Sequence, residues 1–564
     1  MKHRIALLLL ALMITAGQAL ALPEVILGPG LDSGRTAYSQ NWNRTLSADT
    51  LYTLTGLYYV EPSRQITIEA GTVVMGDTAS TLIIKPGAQI HANGTQDAPI
   101  VFTSRKAPGS RARGDWGGII VLGDAPCNKV NPLIEGGIIA GTYGGTDATD
   151  DSGEITYVRI EYPGYRFQLN NEVNGLTMGG VGSGTEIHHV QVSYSDDDGF
   201  EWFGGTVNAH HLVCFGGTDD EFDTDFGYTG KIQFAFGMKD PSTWDPTGET
   251  NGFESDNDGS STSTATPYTA PIFSNVTLVG PAYNDDLVNN LPVGNRFQFA
   301  ALVRRSTRLS VFNSVIAGFP WGIRLRDAFT IQWANDDLLR WENNSIASFA
   351  YVDAAAQAAG TVHDVTQWAG VDDWFLTVGD NNIGNDIRNP SAVGFTDMSD
   401  FHYPNPVPAT GSELIGGASW ADDFVQDAFF TQVSYRGAFI PDLPMEQQWT
   451  AGWTNFNPQG FSTETAAGEL PQGFQLAGNY PNPFNPKTEI RFSLPQAASV
   501  TLTVFDLQGR QVAELAGGAT FGAGENVISW DGKTDAGEQA ASGLYLYRVN
   551  AGEFSETRKM TLLK

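Results

Sequence analysis

The central part of the chain consists of short runs of alternating apolar and polar residues, separated by segments rich in glycine and aspartate. Two of these runs repeat: EIHHVQVSYSDDDGFEWFG begins at Glu186, and NAHHLVCFGGTDDEFDTDFG begins at Asn208. The offset of 22 residues brings His188 into line with His210. Alternation with a period of two predicts half-buried β-strands. A repeat of this kind predicts that each copy forms one coil of a solenoid.

Weaker copies of the pattern flank this pair. ITYVRIEY from Ile155 and IFSNVTLVG from Ile272 keep its apolar spacing, and ITIEAGTVVMG, TLIIKPGAQIHANGT and GDWGGIIVLG add β-rich runs near the start. Short strands joined by tight corners favour a parallel β-helix. Residues 22–458 resemble right-handed parallel β-helix proteins of the pectate-lyase-like architecture. This resemblance implies a fold but no particular chemistry.

Residues 479–564 have a separate pattern. They open NYPNPFNPKTEIRFSLP, continue through VFDLQGRQV and ENVISWDGKTDAGEQAASGLYLYRV, and end in KMTLLK. Apolar residues at alternate positions, such as Val500, Leu502 and Val504, predict a small immunoglobulin-like β-sandwich. The fold class predicted for the whole chain is therefore all-β, a right-handed parallel β-helix followed by this sandwich.

The C-terminal segment resembles the sorting domain of bacterial type IX secretion substrates. That resemblance implies that the type IX secretion machinery is a partner, and it assigns the sorting motif to Pro481, Asn482, Pro483, Gly543, Tyr545 and Lys559. The alternative is an accessory sandwich that has no role in export.

The start of the chain also predicts export. Lys2 and Arg4 precede an apolar run over residues 5–14, and residues 19–21 offer a small-x-small cleavage site. This pattern predicts a signal peptide over residues 1–21. No later stretch approaches the length of about 20 apolar residues that a membrane span needs. We therefore expect passage to the periplasm and then to the outer cell surface or the medium.

The repeat fades over residues 327–458. The stretch AYVDAAAQAAGTVHDVTQWAGVDDWFLTVG predicts one or two helices on the side of the rod. The later aromatic segments predict a cap over the open end of the β-helix, where strand edges and apolar side chains need cover. Alternatively, Trp449 and Trp453 form a platform for a carbohydrate. Residues 459–478 are predicted to be a linker.

The composition excludes one class of partner. The 564 residues contain 32 Lys+Arg and 63 Asp+Glu, for a formal net charge of -31. Nucleic acid is therefore disfavoured as a ligand. Two cysteines do not provide a disulfide framework for so long an exported chain, and Cys127 and Cys214 either pair or remain free.

The acidic residues of the repeat fall at the same 22-residue offset. Stacked coils bring together Asp197 with Asp219, Asp198 with Asp220, and Glu201 with Asp223, and Asp225 lies nearby. Unit charges at the strand spacing of about 4.8 Å repel by about 3 to 4 kcal/mol at an effective dielectric constant near 20. Calcium binds oxygen ligands and relieves such repulsion. We predict a structural calcium site at these seven residues, with a solvated acidic corner as the alternative.

A second acidic run also suggests calcium. NGFESDNDG spaces Glu254, Asp256 and Asp258 at alternate positions, as in a calcium-binding loop, but it lacks the last glutamate of an EF-hand.

The paired histidines invite a transition-metal interpretation, because stacked imidazoles lie close enough to share an ion. The alternative is a packed or exposed ladder in which strand alternation turns one histidine of each pair inward. The pairs are His188 with His189 and His210 with His211.

The predicted function is a secreted or cell-surface module for binding, adhesion or structure, acting on polysaccharide or another surface ligand. The alternative is a calcium-dependent polysaccharide lyase or glycoside hydrolase. Pectate lyases on this fold combine calcium with a basic residue, and basic residues on later coils are Arg304, Arg305, Arg324 and Arg326. The aspartates at 218–220 and 223–225 resemble part of a polygalacturonase site, but its His-Gly and Arg-x-Lys elements are missing. A third hypothesis is a scaffold that displays the loops at 148–154 and 260–270.

Overall fold

The computed structural model describes most of the chain. The described residues are 22–29, 37–136, 138, 141–168, 171–246, 248, 250–260, 262, 264–283, 287, 291–292, 294–347, 373–383, 393–460, 474–480, 484, 486–494, 498–521, 524–552 and 554–562. Several predictions fall outside these ranges: the signal peptide, residues 350–372 of the stretch predicted to be helical, and the roles of Pro481, Asn482 and Pro483.

Ten parallel strands of the described residues form one face of a rod, each paired with the strand one coil away. The pattern of short β-rich runs thus becomes one strand per coil on this face. The strands are Ala37–Gln40, Leu57–Val60, Thr81–Ile84, Gly118–Leu122, Leu176–Gly179, Phe200–Phe203, Phe222–Asp225, Phe253–Asp256, Phe299–Arg304 and Trp321–Leu325.

A second parallel sheet has 17 strands within the described residues. Each early coil contributes two short strands to this sheet, so the strands form two parallel rows. The rows merge at the longer strand Gly153–Glu161, which pairs with both Gln89–Asn93 and Ile100–Ser104. The other strands are Glu24–Leu27, Arg44–Leu46, Leu51–Leu54, Gln65–Ile68, Val73–Gly76, Glu186–Ser193, Ala209–Phe215, Lys231–Met238, Ile272–Val279, Ser310–Phe312, Val315–Ala317, Trp341–Glu342, Ser345–Ala347 and Asn382–Ile383. The predicted all-β fold, a parallel β-helix, is confirmed.

The 22-residue repeat is one coil of this rod. His188 pairs with His210 on one sheet, and Phe200 pairs with Phe222 on the other. Inside the rod the rings of Phe200, Phe222 and Phe253 follow one another with centroids 5.9 and 5.6 Å apart. All three are at most 1% exposed, so the interior is a packed column of side chains.

A ladder of left-handed residues bends the 17-stranded sheet at one corner. The same register position has φ between 51° and 57° in seven coils, at Tyr157, His189, His211, Phe234, Asn275, Asn313 and Asn343. Asparagine tolerates this conformation better than most residues. In the earlier coils aromatic stacking stabilises it, with ring centroids 4.3 Å apart for Tyr157 and His189 and 4.4 Å for His189 and His211.

The segment from 393 to 460 lies along the side of the rod, which corrects the prediction that it caps the open end. Hydrogen bonds connect Ser419 to Asn313, Thr431 to Gln233, Asn455 to Gln191 and Gln459 to Gly109, so the segment returns from late coils to early ones. The reason is that outward residues of the 17-stranded sheet, including Val213, Phe215, Phe236 and Met238, are apolar and require cover.

The tryptophans of this side segment are part of its packing. Trp453 is 0% exposed and Trp449 is half-buried, and both contact the ring of His189. The alternative prediction, an open platform for a carbohydrate, is therefore wrong because the rings face the rod.

The remaining elements of the rod are short. The helix Ala328–Asn335 begins after Asp327, whose side chain accepts a hydrogen bond from Thr330 N. The π-helix Asp373–Val378 packs Trp374 and Phe375 against the core beside the last described coil. The antiparallel pairs are Arg166–Gln168 with Asn171–Glu172 and Phe395–Asp397 with Asn405–Pro408, and the 3-10 helices are Glu413–Ile415, Asp423–Val425, Met445–Gln447 and Pro458–Gly460.

The C-terminal part forms two antiparallel sheets with a core of its own. Their strands are Gln475–Tyr480, Thr488–Leu494, Ala498–Phe505, Gln511–Phe521, Gly524–Trp530, Gly543–Ala551 and Phe554–Leu562. Gly543 and Tyr545 lie on one strand of a pair and Lys559 on the other. The first strand starts inside the predicted linker, because Gln475 already pairs with Ser493.

Both cysteines are unpaired, with Cys214 buried in the rod and Cys127 half-buried. Among the described residues, no helix combines the length and apolar character that crossing a bilayer requires.

Candidate metal centre

The outer face of the ten-stranded sheet carries a column of carboxylates. Glu201 pairs with Asp223, and Asp223 pairs with Glu254, in three consecutive coils. Strand alternation produces this column, because the flanking residues Phe222 and Thr224 are buried on the opposite face. Three like charges therefore stand at about the 4.8 Å strand spacing.

The corner next to this column is built from acids that bind backbone amides of the next coil. Asp198 Oδ1 accepts a hydrogen bond from Asp220 N at 2.8 Å. Asp220 Oδ1 accepts one from Asn251 N at 2.6 Å, and Asn251 Oδ1 accepts one from Phe299 N at 3.1 Å. Asp198 and Asp220 thus each use one oxygen to connect coils.

The structure brings most of the predicted calcium ligands together. Carboxylate oxygens lie within 4.8 Å of one another in two groups, Asp197 with Asp198 and Asp219, and Asp198 with Glu201 and Asp223. Asp220 adjoins both groups through its bond to Asp198. Asp225 stands in the next column instead, where its register and its electrostatic coupling place it beside Asp256.

The second acidic run does not form a calcium loop. Glu254 and Asp256 lie on the strand Phe253–Asp256, so their alternate spacing is strand alternation. Asp258 follows the strand, and its Oδ1 accepts a hydrogen bond from Ser260 N at 2.7 Å.

Sequence reasoning missed the residues that cover the cluster. Asn174 is 0% exposed, and its Nδ2 donates to Glu135 Oε1 at 3.0 Å and also to Glu201. Glu135 and Glu201 thus meet at the same amide, and burial is the main cause that raises the pKa of each carboxyl group. A long insertion after the strand Gly118–Leu122 carries Glu135 and has no repeat from which its position can be predicted.

Basic residues neutralise only the margins of the cluster. Arg166 binds Asp245 Oδ1 at 2.8 Å and Asp196 Oδ2 at 3.0 Å. Arg304 pairs with Glu254 and, at 2.9 Å, with Asp256. Lys239 and Glu221 form a pair at 3.1 Å that is shielded from solvent, and Arg305 also binds Asp256.

The central carboxyl groups have no such partner among the described residues. Burial, followed by repulsion from neighbouring acids, raises the pKa of Asp197, Asp219 and Glu201 well above its ordinary value. Burial likewise raises the pKa of Asp220 to about 6. The Oδ1 atoms of Asp219 and Asp223 are buried and accept no hydrogen bond. Such a site binds either protons or a cation.

The donor set fits calcium. Among the described residues, the buried oxygens of the cluster that accept no hydrogen bond include the Oδ1 atoms of Asp219 and Asp223 and the amide Oδ1 of Asn174. Oxygen atoms of both kinds are ligands that Ca²⁺ prefers. Glu201, Asp223, Asp198, Asp197 and Asp219 would hold the ion.

A cavity of about 490 Å³ opens at Tyr143, and none of the proposed calcium ligands lines it. Lys129, Cys127 and Tyr143 line it. Tyr143 is electrostatically coupled to Asp225 and Glu201, and burial is the main cause that raises its pKa. The cavity therefore lies within electrostatic range of the acidic column, and its wall carries both a cationic and an acidic side chain, Lys129 and Asp124.

The histidine pairs lie at the left-handed corner of the other sheet. All four rings are half-buried and none enters the core, which corrects the expectation that one of each pair points inward. The positive φ of His189 and His211 breaks the alternation, while Val190 and Leu212 turn inward. Burial lowers the pKa of His189 to about 3 and that of His210 to about 4, so these imidazoles are neutral at pH 7.

The sequence profile of a family described as "Pectate-lyase like beta helix domain" matches residues 37–387, well over half of the chain. The chain belongs to this family. Beyond this β-helix domain, the profile described as "FlgD Ig-like domain" matches residues 482–553, which form most of the C-terminal sandwich. No curated protein matches the chain.

Solved structures resemble parts of this pectate-lyase-like β-helix protein only weakly. Dimeric latent PorU from Porphyromonas gingivalis aligns at 22% identity over 16% of this chain and 9% of that one, with a TM-score of 0.14. PorZ, a surface component of the type IX secretion system of P. gingivalis, aligns at 20% identity over 16% and 12%, with a TM-score of 0.13. The enzymatically active domain of tailspike protein 2 of bacteriophage CBA120 aligns at 11% identity over 91% and 71%, with a TM-score of 0.23. The chain spans about a tenth of the length of the first two structures.

Proposed function

We propose that this β-helix protein is an exported, surface-associated binding module that holds calcium at the acidic cluster and uses it to bind an acidic polysaccharide. The observation that carries this proposal is the group of Asp198, Glu201 and Asp223, whose oxygens lie within 4.8 Å of one another without a basic partner. Ionised carboxylates at this separation repel strongly, and a divalent cation removes that repulsion.

The cavity at Tyr143 supports an acidic ligand. Its volume of about 490 Å³ falls within the range of pockets for small ligands. The cavity wall carries Asp124 and also Lys129, whose ammonium lies 3.3 Å from the centroid of the Phe226 ring. A calcium ion at the cluster would add a second positive group for a sugar carboxylate. In a strongly acidic protein, such a pair gives local complementarity to an anion.

The basic residues favour binding over lyase chemistry. A lyase requires a base near the ion. Lys239 donates to the backbone oxygen of Asp219 and is ion-paired with Glu221, so it is held charged. Arg304 is the basic residue that contacts the column itself. Its guanidinium pairs with Glu254 and Asp256, and these carboxylates raise its pKa above the ordinary value. An arginine held charged in this way is a poor proton acceptor.

The C-terminal segment is the basis for the proposed export to the cell surface. The motifs at 479–564 that resemble a type IX sorting domain support it, and so does the sandwich, in which Gly543, Tyr545 and Lys559 occupy the last strand pair. The test is to graft residues 479–564 onto an unrelated exported protein and to locate the hybrid in a host with type IX secretion. Retention of the hybrid in the periplasm would contradict it.

Calcium binding is tested by calorimetric titration of the chelator-treated chain. We expect saturable binding that is lost in a variant with Asp197→Asn, Asp219→Asn and Asp220→Asn, while Asp442→Asn, an exposed change, leaves it intact. If the wild type shows no saturable binding heat, the proposed calcium site is wrong.

The ligand is tested by binding of acidic and neutral polysaccharides with calcium and with chelator. Calcium-dependent retention of acidic polymers alone is the expected result, and Lys129→Gln should weaken it. Formation of an unsaturated product, followed by ultraviolet absorbance, would instead establish the lyase.

A further inference from the structure

Four histidines form a compact group on the corner of the 17-stranded sheet, and this group shares no residue with the acidic cluster. His188 and His210 are register partners on adjacent coils, with ring centroids 4.9 Å apart. His189 and His211 follow them with φ of 52° and 57°, and their rings stack at 4.4 Å. The left-handed corner therefore turns both members of each pair to the outside of the coil.

The ring nitrogens of this group converge. Nδ1 of His188 lies 2.9 Å from Nδ1 of His189, and Nδ1 of His210 lies 2.6 Å from Nδ1 of His211. His189, His210 and His211 each offer a nitrogen within 4.8 Å of the others. Tetrahedral zinc at Zn–N distances of about 2.0–2.1 Å holds its nitrogen ligands about 3.4 Å apart. The nitrogen separations in this group, from 2.6 Å up to the 4.8 Å limit, bracket this value.

The surroundings fix the rings and leave one side open. Tyr157 stacks on His189 at 4.3 Å, and Trp449 contacts His211 edge-on at 5.1 Å. Glu186 Oε1 lies 3.1 Å from His188 Nε2, the kind of carboxylate contact that orients metal-bound histidines. A cavity of about 390 Å³, lined by His210 and His211, gives an ion and a water molecule access to the group.

We propose that His189, His210 and His211, with His188 as a further imidazole, bind one divalent transition-metal ion of the zinc and copper class. Imidazole nitrogen is the preferred donor for these ions, whereas calcium prefers oxygen. The two sites of the rod would thus select different cations. The ion would also connect two adjacent coils at the surface where the side segment lies.

The neighbouring coils supply variants that suit the same backbone. Gln233 pairs with His210, and Asn275 occupies the left-handed position of His211 two coils later. His210→Gln and His211→Asn therefore remove ligands while keeping residues that this corner accepts. His91→Gln, a histidine outside the ladder, is the matched control.

The experiment is a calorimetric titration of the untagged full chain with Zn²⁺ in excess Ca²⁺, which occupies the carboxylates. We expect one ion per chain with a Kd on the order of micromolar. The double variant with His210→Gln and His211→Asn should bind more than about tenfold more weakly, and His91→Gln should bind like the wild type. Equal affinity in the double variant and the wild type, or no saturable binding in the wild type, would overturn the proposal.

A second measurement does not depend on the variants. X-ray absorption at the zinc edge of the loaded wild-type chain should show imidazole nitrogen as the dominant ligand. A shell of oxygen ligands without imidazole would overturn the proposal even if zinc binds stoichiometrically.

Discussion

Removing the charge of Asp220 should make the stability of the rod less dependent on pH. Its carboxyl group is 3% exposed, and burial raises its pKa to about 6 from 3.8. Because the folded-state pKa is raised, the folded protein binds more protons than the unfolded chain between these values. The protonated Asp220 carboxyl therefore contributes to the unfolding free energy below about pH 4. This contribution is lost as the pH rises through about 6.

The size of the effect follows from the shift. One pKa unit corresponds to about 1.36 kcal/mol, so a shift of roughly two units corresponds to about 3 kcal/mol. Asp220→Asn keeps an oxygen that accepts the hydrogen bond from Asn251 N and removes the ionisation. Relative to the wild type, the variant should therefore gain about 3 kcal/mol between about pH 4 and about pH 8.

The assay is urea unfolding in chelator at these two pH values. Fluorescence of the buried Trp116, Trp202 and Trp341 reports on the rod. Asp442→Asn, on an exposed residue, should show no gain. If the difference in unfolding free energy between Asp220→Asn and the wild type is the same at both pH values, the carboxyl is solvated and the argument from burial is wrong.

Three further predictions concern packing and ions. Trp453→Ala removes a 0% exposed ring between the side segment and the rod, so it should lower the unfolding free energy by about 3–5 kcal/mol. It should also expose residues 393–460 to proteolysis, and resistance of this segment to protease would contradict the prediction. Phe222→Ala should lower the urea midpoint of the rod by an equivalent of about 3–5 kcal/mol without changing the C-terminal sandwich, and an unchanged midpoint would contradict the stacked column. Calcium at about 100 times its Kd should raise the unfolding free energy by about 2.7 kcal/mol. The double variant with Glu201→Gln and Asp223→Asn should abolish this gain. If the double variant keeps the full gain, the ion binds elsewhere.

The local pattern predicted much of the rod, because a β-helix repeats one backbone unit. The 22-residue offset between Glu186 and Asn208 gave the register of two coils, and the structure pairs Glu201 with Asp223 as that offset requires. The same register stacks Phe200 on Phe222 inside the rod. These features depend on neighbours along the chain or one coil away, so the sequence contains them.

The paired histidines show where local reasoning failed. Alternation places one of His188 and His189 inside, but a left-handed residue at the corner turns both outward. The conformation is stabilised by stacking on Tyr157 and on His211 in the adjacent coils. The signal was present as asparagine at the same position of later coils, but only the register makes it visible.

By itself the sequence determined the all-β class, the solenoid repeat and the stacking of Glu201 on Asp223, because each follows from periodicity within one coil or between two adjacent coils. Only the tertiary structure decided that the aromatic segment at 393–460 covers the side of the rod, and that Glu135 and Asn174 close over Glu201. The side segment and Glu135 belong to no repeat and contact residues far away in the chain, whereas Asn174 holds the coil position of Asp198. The physical reason is the same in the two places. The apolar side chains on the outer face and the unsatisfied carboxylates at the corner each require a cover, and no periodic pattern specifies that cover.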